Sequence, residues 1–238
     1  MMKVGFLALC VCAVPQIASA QTMQWTDKGY VSVNGGVEVG SGTLRTTSTF
    51  SIYGEQASVT TTSSGKTDGL FDVGGAYRVW GRNLLAGVFY THASSSSNGT
   101  INASIPDPIQ FDDLRPVTES VGRIKHRENQ IHLDAVWMMP IAEKLDVGLQ
   151  AGPTIFILKQ ANVNAVAVTE PAPTVSATVG TTSKTTAGVN VGADLQYLVW
   201  HTVALGGVAR YTWGRTSVGG SKLTLGGFQI EVGARYRF

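Results

Sequence analysis

The chain has 238 residues, only 14% of them charged, with 18 Lys and Arg against 16 Asp and Glu and a mean hydropathy of +0.10. That near-balance removes any bulk electrostatic case for nucleic acid as a partner, and no run after residue 20 reaches the ~20 apolar residues of a membrane-spanning helix. The only cysteines, Cys10 and Cys12, fall in the first twenty residues, so the remainder has no disulfide, thiol chemistry or cysteine-held metal.

Residues 1–20 read as a secretory signal peptide. Lys3 supplies the basic start, Val4 to Val14 the apolar run, and Ala18-Ser19-Ala20 the small-residue cleavage site. The run is too short to anchor a helix in a bilayer. Loss of Lys3 with the leader lowers the formal net charge of +2 by one, and residues 21–238 remain as a single domain.

From Gly29 the mature chain alternates. A side chain in a strand points to the face opposite its neighbour's, so Val31, Val33, Val37 and Val39 share one face and Ser32, Asn34 and Glu38 the other. The polar stretch 41–66 then reads as a long loop. The pattern returns with Phe71, Val73, Tyr77 and Val79 against Asp72 and Arg78, turns at Trp80 to Asn83, and runs back through Leu84 to His92. There both faces are apolar, and we place Leu84, Ala86, Val88 and Tyr90 outward.

Residues 93–128 read as the longest irregular stretch, carrying Asp112, Asp113 and Glu119 and a basic patch of Arg123, Lys125, His126 and Arg127. Ile131, Leu133, Ala135 and Trp137 then oppose Gln130, His132 and Asp134. After a short turn at 140–144, Leu145, Val147, Leu149, Ile155 and Ile157 oppose Asp146, Gln150, Thr154 and Phe156. Pro153 has no N–H to give, which predicts a bulge there or the point where the strand leaves the membrane. A third long loop, 159–185, leads to Val189, Val191, Leu195 and Tyr197 against Asn190, Asp194 and Gln196. The turn 200–202 leads to Leu205, Ala209, Tyr211 and Trp213 against Val208, Arg210 and Thr212. After a shorter loop at 216–221, Leu223 and Leu225 stand in the frame opposite to Phe228, so Gly226-Gly227 is expected to be a bulge that switches faces.

The count is eight strands, with connections alternately long and short. An antiparallel up-and-down barrel with both termini on one side puts every short connection on that side and every long one opposite. Outer-membrane barrels show this asymmetry, and a soluble meander does not predict it. Trp80, Trp137 and Trp200 adjoin the short turns, while Tyr90, Tyr211 and Trp213 fall near the other end. Two such levels suit aromatic girdles at the two membrane interfaces.

The final strand carries a resemblance. Its row Phe228, Ile230, Val232, Ala234, Tyr236 and Phe238 is apolar, its other row holds Glu231, Arg235 and Arg237, and Glu231-x-Gly233-x-x-Tyr236-x-Phe238 resembles the β-signal of outer-membrane proteins. The mature chain is similar to the small outer-membrane β-barrel family of OmpX, the OmpA transmembrane domain and the opacity proteins. That resemblance implies the Gram-negative outer membrane, with its lipid and lipopolysaccharide as surroundings, and insertion by the assembly machinery through Glu231, Gly233, Tyr236 and Phe238. It implies no single activity, because the fold hosts several.

In these frames the lumen receives Glu38, Asp72, Asp134, Asp146, Asp194 and Glu231 together with Arg78, Arg210, Arg235 and Arg237, and His132 beside them. An eight-stranded barrel is just wide enough for side chains to fill it, and buried charges persist by pairing. A salt-bridged plug is the reading favoured over a catalytic cluster at His132 and Asp134. The luminal glycines Gly36, Gly74, Gly148, Gly152, Gly188, Gly192 and Gly206 offer the competing possibility of a water-holding path. His92-Ala93-Ser94 has the spacing of the lipid A deacylases' His-x-Ser but opens a serine run, so no catalytic residue is assigned. No metal-ligand spacing or phosphate-binding glycine loop calls for a cofactor. The basic patch in 93–128 could meet lipopolysaccharide phosphates or be a self-compensating, solvated run. The expected protein is a plugged, structural or surface-interaction barrel, with 41–66, 93–128 and 159–185 available to an extracellular ligand. The alternative is a narrow channel or transporter for small or hydrophobic solutes.

Overall fold

The structure, a computed structural model, describes residues 24–40, 44–63, 68–169, 174–218 and 221–238. The expected signal peptide, 1–20, lies outside the described residues. Those residues form eleven strands: β1 Gly29–Val39, β2 Leu44–Ile52, β3 Glu55–Ser63, β4 Asp68–Trp80, β5 Leu84–Pro106, β6 Leu114–Ala142, β7 Leu145–Thr169, β8 Thr174–Leu198, β9 Val203–Val218, β10 Ser221–Leu225 and β11 Phe228–Arg237. Eight of them, β1, β4, β5, β6, β7, β8, β9 and β11, close an antiparallel ring in which β11 returns to β1. The ring is the eight-stranded up-and-down barrel, all-β among the described residues.

Alternation decides its two faces. Val31, Val33 and Val37 of β1 are exposed on the outer wall while Ser32, Asn34 and Glu38 are buried inside. In β5 the ambiguous frame resolves as expected, with Val88 and Tyr90 outward and Leu85 and Phe89 inward. Trp80, Trp137 and Trp200 are exposed at the end holding the short turns, and Tyr90, Tyr211 and Trp213 near the other.

Three expectations change. The long stretches are largely paired strand. β5 and β6 stay in register as far as Pro106 opposite Leu114, and β7 and β8 as far as Thr169 opposite Thr174. The β2–β3 hairpin, inside the expected loop 41–66, pairs onto the far half of β5 from Ser58 opposite Ser104 to Thr62 opposite Thr100. Ser and Thr on both faces blur the alternation, but β-branched Thr suits strands, and a buried row does exist. Ala57, Val59, Ile101, Ala103 and Ile105 form a separate apolar core above the barrel, with Phe50, Ile52, Val117 and Val168 against it.

Pro153 causes no bulge. Its partner in β8 is Val189 in unbroken register, and the outward face continues beyond it to Ile155. Its missing N–H costs only local pairing, because the β6–β7 ladder lapses between His132 opposite Thr154 and Ala135 opposite Ala151 without a register shift.

Gly226-Gly227 does not switch faces. Leu225 is opposite Gly214 and Phe228 opposite Tyr211, so the same register runs through the break. Leu223 and Leu225 therefore point inward, as Gln229 and Glu231 do. The glycines serve a local kink. Gly226 has φ +77° and its N–H donates to Glu128 Oε2 at 3.1 Å, while Gly227 N–H donates to Thr212 Oγ1.

Candidate functional site: the lumen and the far head

The inward rows stack into layers. At the end nearest the termini Trp25, Tyr30, Leu85, Phe89, Val136 and Met138 pack together with Ala76. Arg237 closes this layer. Its Nη1 meets Asp146 Oδ2 and its Nε meets Asp27 Oδ2, both at 2.6 Å, and its guanidinium lies 4.1 Å from the Trp25 ring centre. An Arg held by two carboxylates and an aromatic face has both its charge and its flat surface satisfied.

The middle layer is ionic. Arg235 Nη2 donates to Asp194 Oδ1 at 2.8 Å, and Gln196 donates to the other Asp194 oxygen at 2.8 Å. Arg210 Nη1 reaches Asp72 Oδ2 at 3.2 Å and stands 3.8 Å from Glu231 Oε1. Asp72 also accepts from Asn34 Nδ2 and the Thr91 hydroxyl. Because that hydroxyl donates to Asp72, it accepts from His132 Nε2, and His132 Nδ1 is then satisfied by the Thr154 hydroxyl at 2.9 Å. His132 thus lies between two threonines. Asp134 is engaged by Asn190 at 2.7 Å instead, so the two do not form a base and orienter pair.

Above this the partners change from arginines to amides. Glu38 Oε2 accepts from Gln130 at 3.0 Å and Gln229 at 2.6 Å, and Glu128 meets His126 Nε2 at 2.9 Å. Phe156, Leu158, Leu223 and Leu225, all buried, pack together at the far end. The lumen is therefore apolar, ionic, amide-lined and apolar again.

The expected luminal residues Glu38, Asp72, His132, Asp134, Asp146, Asp194, Arg210, Glu231, Arg235 and Arg237 are all buried inside, but in separate clusters. Arg78 departs from the expectation: half-buried, it donates to the Trp25 carbonyl at 3.5 Å rather than to a carboxylate. Glu128 and Asp27 were missed, the first within an expected loop and the second ahead of the first strand. The uncharged Gln130, Asn190 and Gln229 were visible in the alternation but carried no charge to single them out.

Three of the luminal glycines stand against large side chains. A Cβ at Gly148 would meet Met138 Sδ at 2.9 Å, one at Gly74 the Phe89 ring at 2.5 Å, and one at Gly206 the Arg235 guanidinium at 3.0 Å. At Gly36, Gly152, Gly188 and Gly192 a Cβ would first meet a neighbouring strand's carbonyl oxygen. On the outer wall His92 Nδ1 meets Asn129 Oδ1 at 2.7 Å.

A family model described as the outer membrane protein beta-barrel domain matches residues 4–238. The chain belongs to that family. Its place is the Gram-negative outer membrane; barrels of that membrane keep short turns on the periplasmic side and longer loops outside. No curated protein matches the chain. Among solved structures it is similar to Neisserial surface protein A, at 13% identity over 88% of this chain and 97% of that one, with a TM-score of 0.50. OprG from Pseudomonas aeruginosa is similar at 10% identity over 91% and 98%, with a TM-score of 0.47. Ail of Yersinia pestis, solved with the heparin analogue sucrose octasulfate, is similar at 14% over 89% and 99%, with a TM-score of 0.40. Likeness at these identities is likeness of fold. Of the residues expected to form an assembly signal, Tyr236 and Phe238 face outward with ring centres 6.5 Å apart, whereas Glu231 is buried in the lumen.

Proposed function

We propose that this protein is a non-conducting outer-membrane barrel that carries a stiff β-structured head outside the cell as a structural and surface-interaction module. The layered lumen carries the proposal. Ion pairs at 2.8 and 3.2 Å sit between two apolar clusters, and at Gly74, Gly148 and Gly206, three of the positions that could have left a water path, Phe89, Met138 and Arg235 stand against the glycine. The test is a planar-bilayer recording of the refolded protein. Silence is expected; stable, ion-selective single-channel steps would sink the plugged reading and favour the narrow channel.

The head's tip supports the interaction half. Ile109 and Phe111 are 90% and 78% exposed. The two non-glycine residues with positive φ among the described residues, Tyr53 and Asp112, both lie there, and the Asp112 N–H donates to Glu55 Oε1 at 3.0 Å, tying the two turns together. Exposed apolar side chains on held turns suit a partner surface. Secretion through a signal peptide at 1–20 and recognition by the assembly machinery through Glu231, Gly233, Tyr236 and Phe238 complete the reading. Phe238→Ala should lower the folded fraction in cells but leave refolding from urea into detergent intact; equal losses in both would remove the targeting role. An enzyme reading draws no support from His92, which is engaged by an amide. Mass spectra of lipid A from cells with and without the protein should coincide.

A further inference from the structure

Along β6 the odd-numbered side chains face the outer wall, where Trp137 and Leu133 are exposed and Ile131 follows above them. Past Asn129 the same face carries Arg127 and Lys125, both exposed. On β7, Lys159 follows Ile155 and Ile157 on the outward face and is the direct cross-strand partner of Arg127. Three cations thus gather where the lipid-facing wall ends on its extracellular side.

Like charges directly opposite one another in an antiparallel pair repel, and the nearest acid in sequence cannot relieve them. Glu128 points into the barrel, held by His126 and the Gly226 N–H. On the β5 side Arg127 is flanked by Ser94 and Lys125 by Ser96. Just below, the Tyr90 hydroxyl donates to Asn129 Oδ1 at 2.9 Å, so outward polar groups begin at the level where the apolar wall stops.

We infer that Lys125, Arg127 and Lys159 form a binding site for the phosphate groups of an outer-leaflet glycolipid whose acyl chains lie along Ile131, Ile155 and Ile157. Anionic charge relieves the repulsion, and a guanidinium fork matches two phosphate oxygens. The continuous apolar wall beneath selects an amphiphile over a soluble anion. The site stands on the outer wall and holds whether or not the lumen conducts.

The test uses the full mature chain refolded into phosphatidylcholine vesicles, with heat-modifiable gel migration checking the fold. K125Q/R127Q/K159Q is compared with K28Q/R82Q/K144Q, which removes three exposed cations from the opposite rim. Binding of fluorescent bisphosphorylated lipid A and its dephosphorylated form is measured. The first variant should lose affinity for the phosphorylated lipid by on the order of a hundredfold, from three cations near a charged surface. Wild type should bind the dephosphorylated lipid as weakly, and the opposite-rim variant should behave as wild type. Unchanged binding by the first variant, or an equal loss by the second, overturns the site. So does inorganic phosphate alone raising the melting temperature as much as the lipid does. If the triple variant fails to fold, R127Q and K159Q singly carry the same comparison.

Discussion

Buried charge is the defining problem for individual residues here, and Arg235 with Asp194 shows how it is met. Both are buried, they meet at 2.8 Å, and Gln196 occupies the second carboxylate oxygen. Breaking such a pair from one side leaves an uncompensated ion, whereas replacing both members with apolar residues can be close to neutral. Asp194→Leu should therefore lower stability to urea by about 3–5 kcal/mol, with Arg235→Met plus Asp194→Leu recovering most of it. A double variant as unstable as the single would mean that the pair is not the unit. Asp107, in the turn between β5 and β6 outside the membrane, is a milder case. The N–H groups of Ile109 and Gln110 donate to its carboxylate and hold it below the usual range, with Arg115 adding to the effect. A depressed carboxylate supports its turn above the unfolded pKa and ceases to as pH falls through the folded one. NMR titration should therefore give Asp107 a lower midpoint in the protein than in a peptide of residues 105–115, and equal midpoints would remove the cap.

At the level of strands, register carries more information than residue type. Leu223 and Leu225 belong to the inward row because Leu225 faces Gly214 in the register that later sets Phe228 against Tyr211. Residues 21–238 hold no cysteine to interfere, so single-cysteine variants of that stretch can read this directly. Thr224→Cys should react with a membrane-impermeant maleimide on intact cells and Leu225→Cys should not, and the reverse pattern would restore a face switch at Gly226-Gly227. The ring itself was legible in the sequence, because lipid outside and polar groups inside impose a period of two on Gly29–Val39 and Phe228–Arg237 alike. Within 93–128 the same period was present in Ile101, Ala103 and Ile105 but hidden among serines and threonines that suit either face. The luminal charges could be listed from the frames, yet their pairing could not. Arg210 and Asp72 stand 138 positions apart, and closure of the ring alone brings them together. Arg78 has the right parity but lies beside Trp25, a residue ahead of any alternating run.

The molecule as a whole has two kinds of interior joined by continuous strands. Inside the membrane wall the core is layered and partly ionic; beyond it β2, β3 and the outer halves of β5 and β6 enclose a wholly apolar cluster around Ile101 and Val59. Its stability then comes from apolar burial among strands that the barrel already holds side by side, so the head can fail while the barrel stands. Ile101→Asp places an unpaired charge in that cluster, which it cannot accommodate, and even Ile101→Ala should cost about 2–5 kcal/mol of local stability. Trypsin added to vesicles bearing the Ile101→Asp variant should cut after Lys125 or Arg127, sites protected in the wild type by strand pairing, while the remaining barrel keeps its heat-modifiable migration. Leu85→Asp, in the lower luminal cluster, should abolish that migration. If Ile101→Asp abolishes it too, the head and barrel fold as one cooperative unit, and the head is part of what holds the barrel closed.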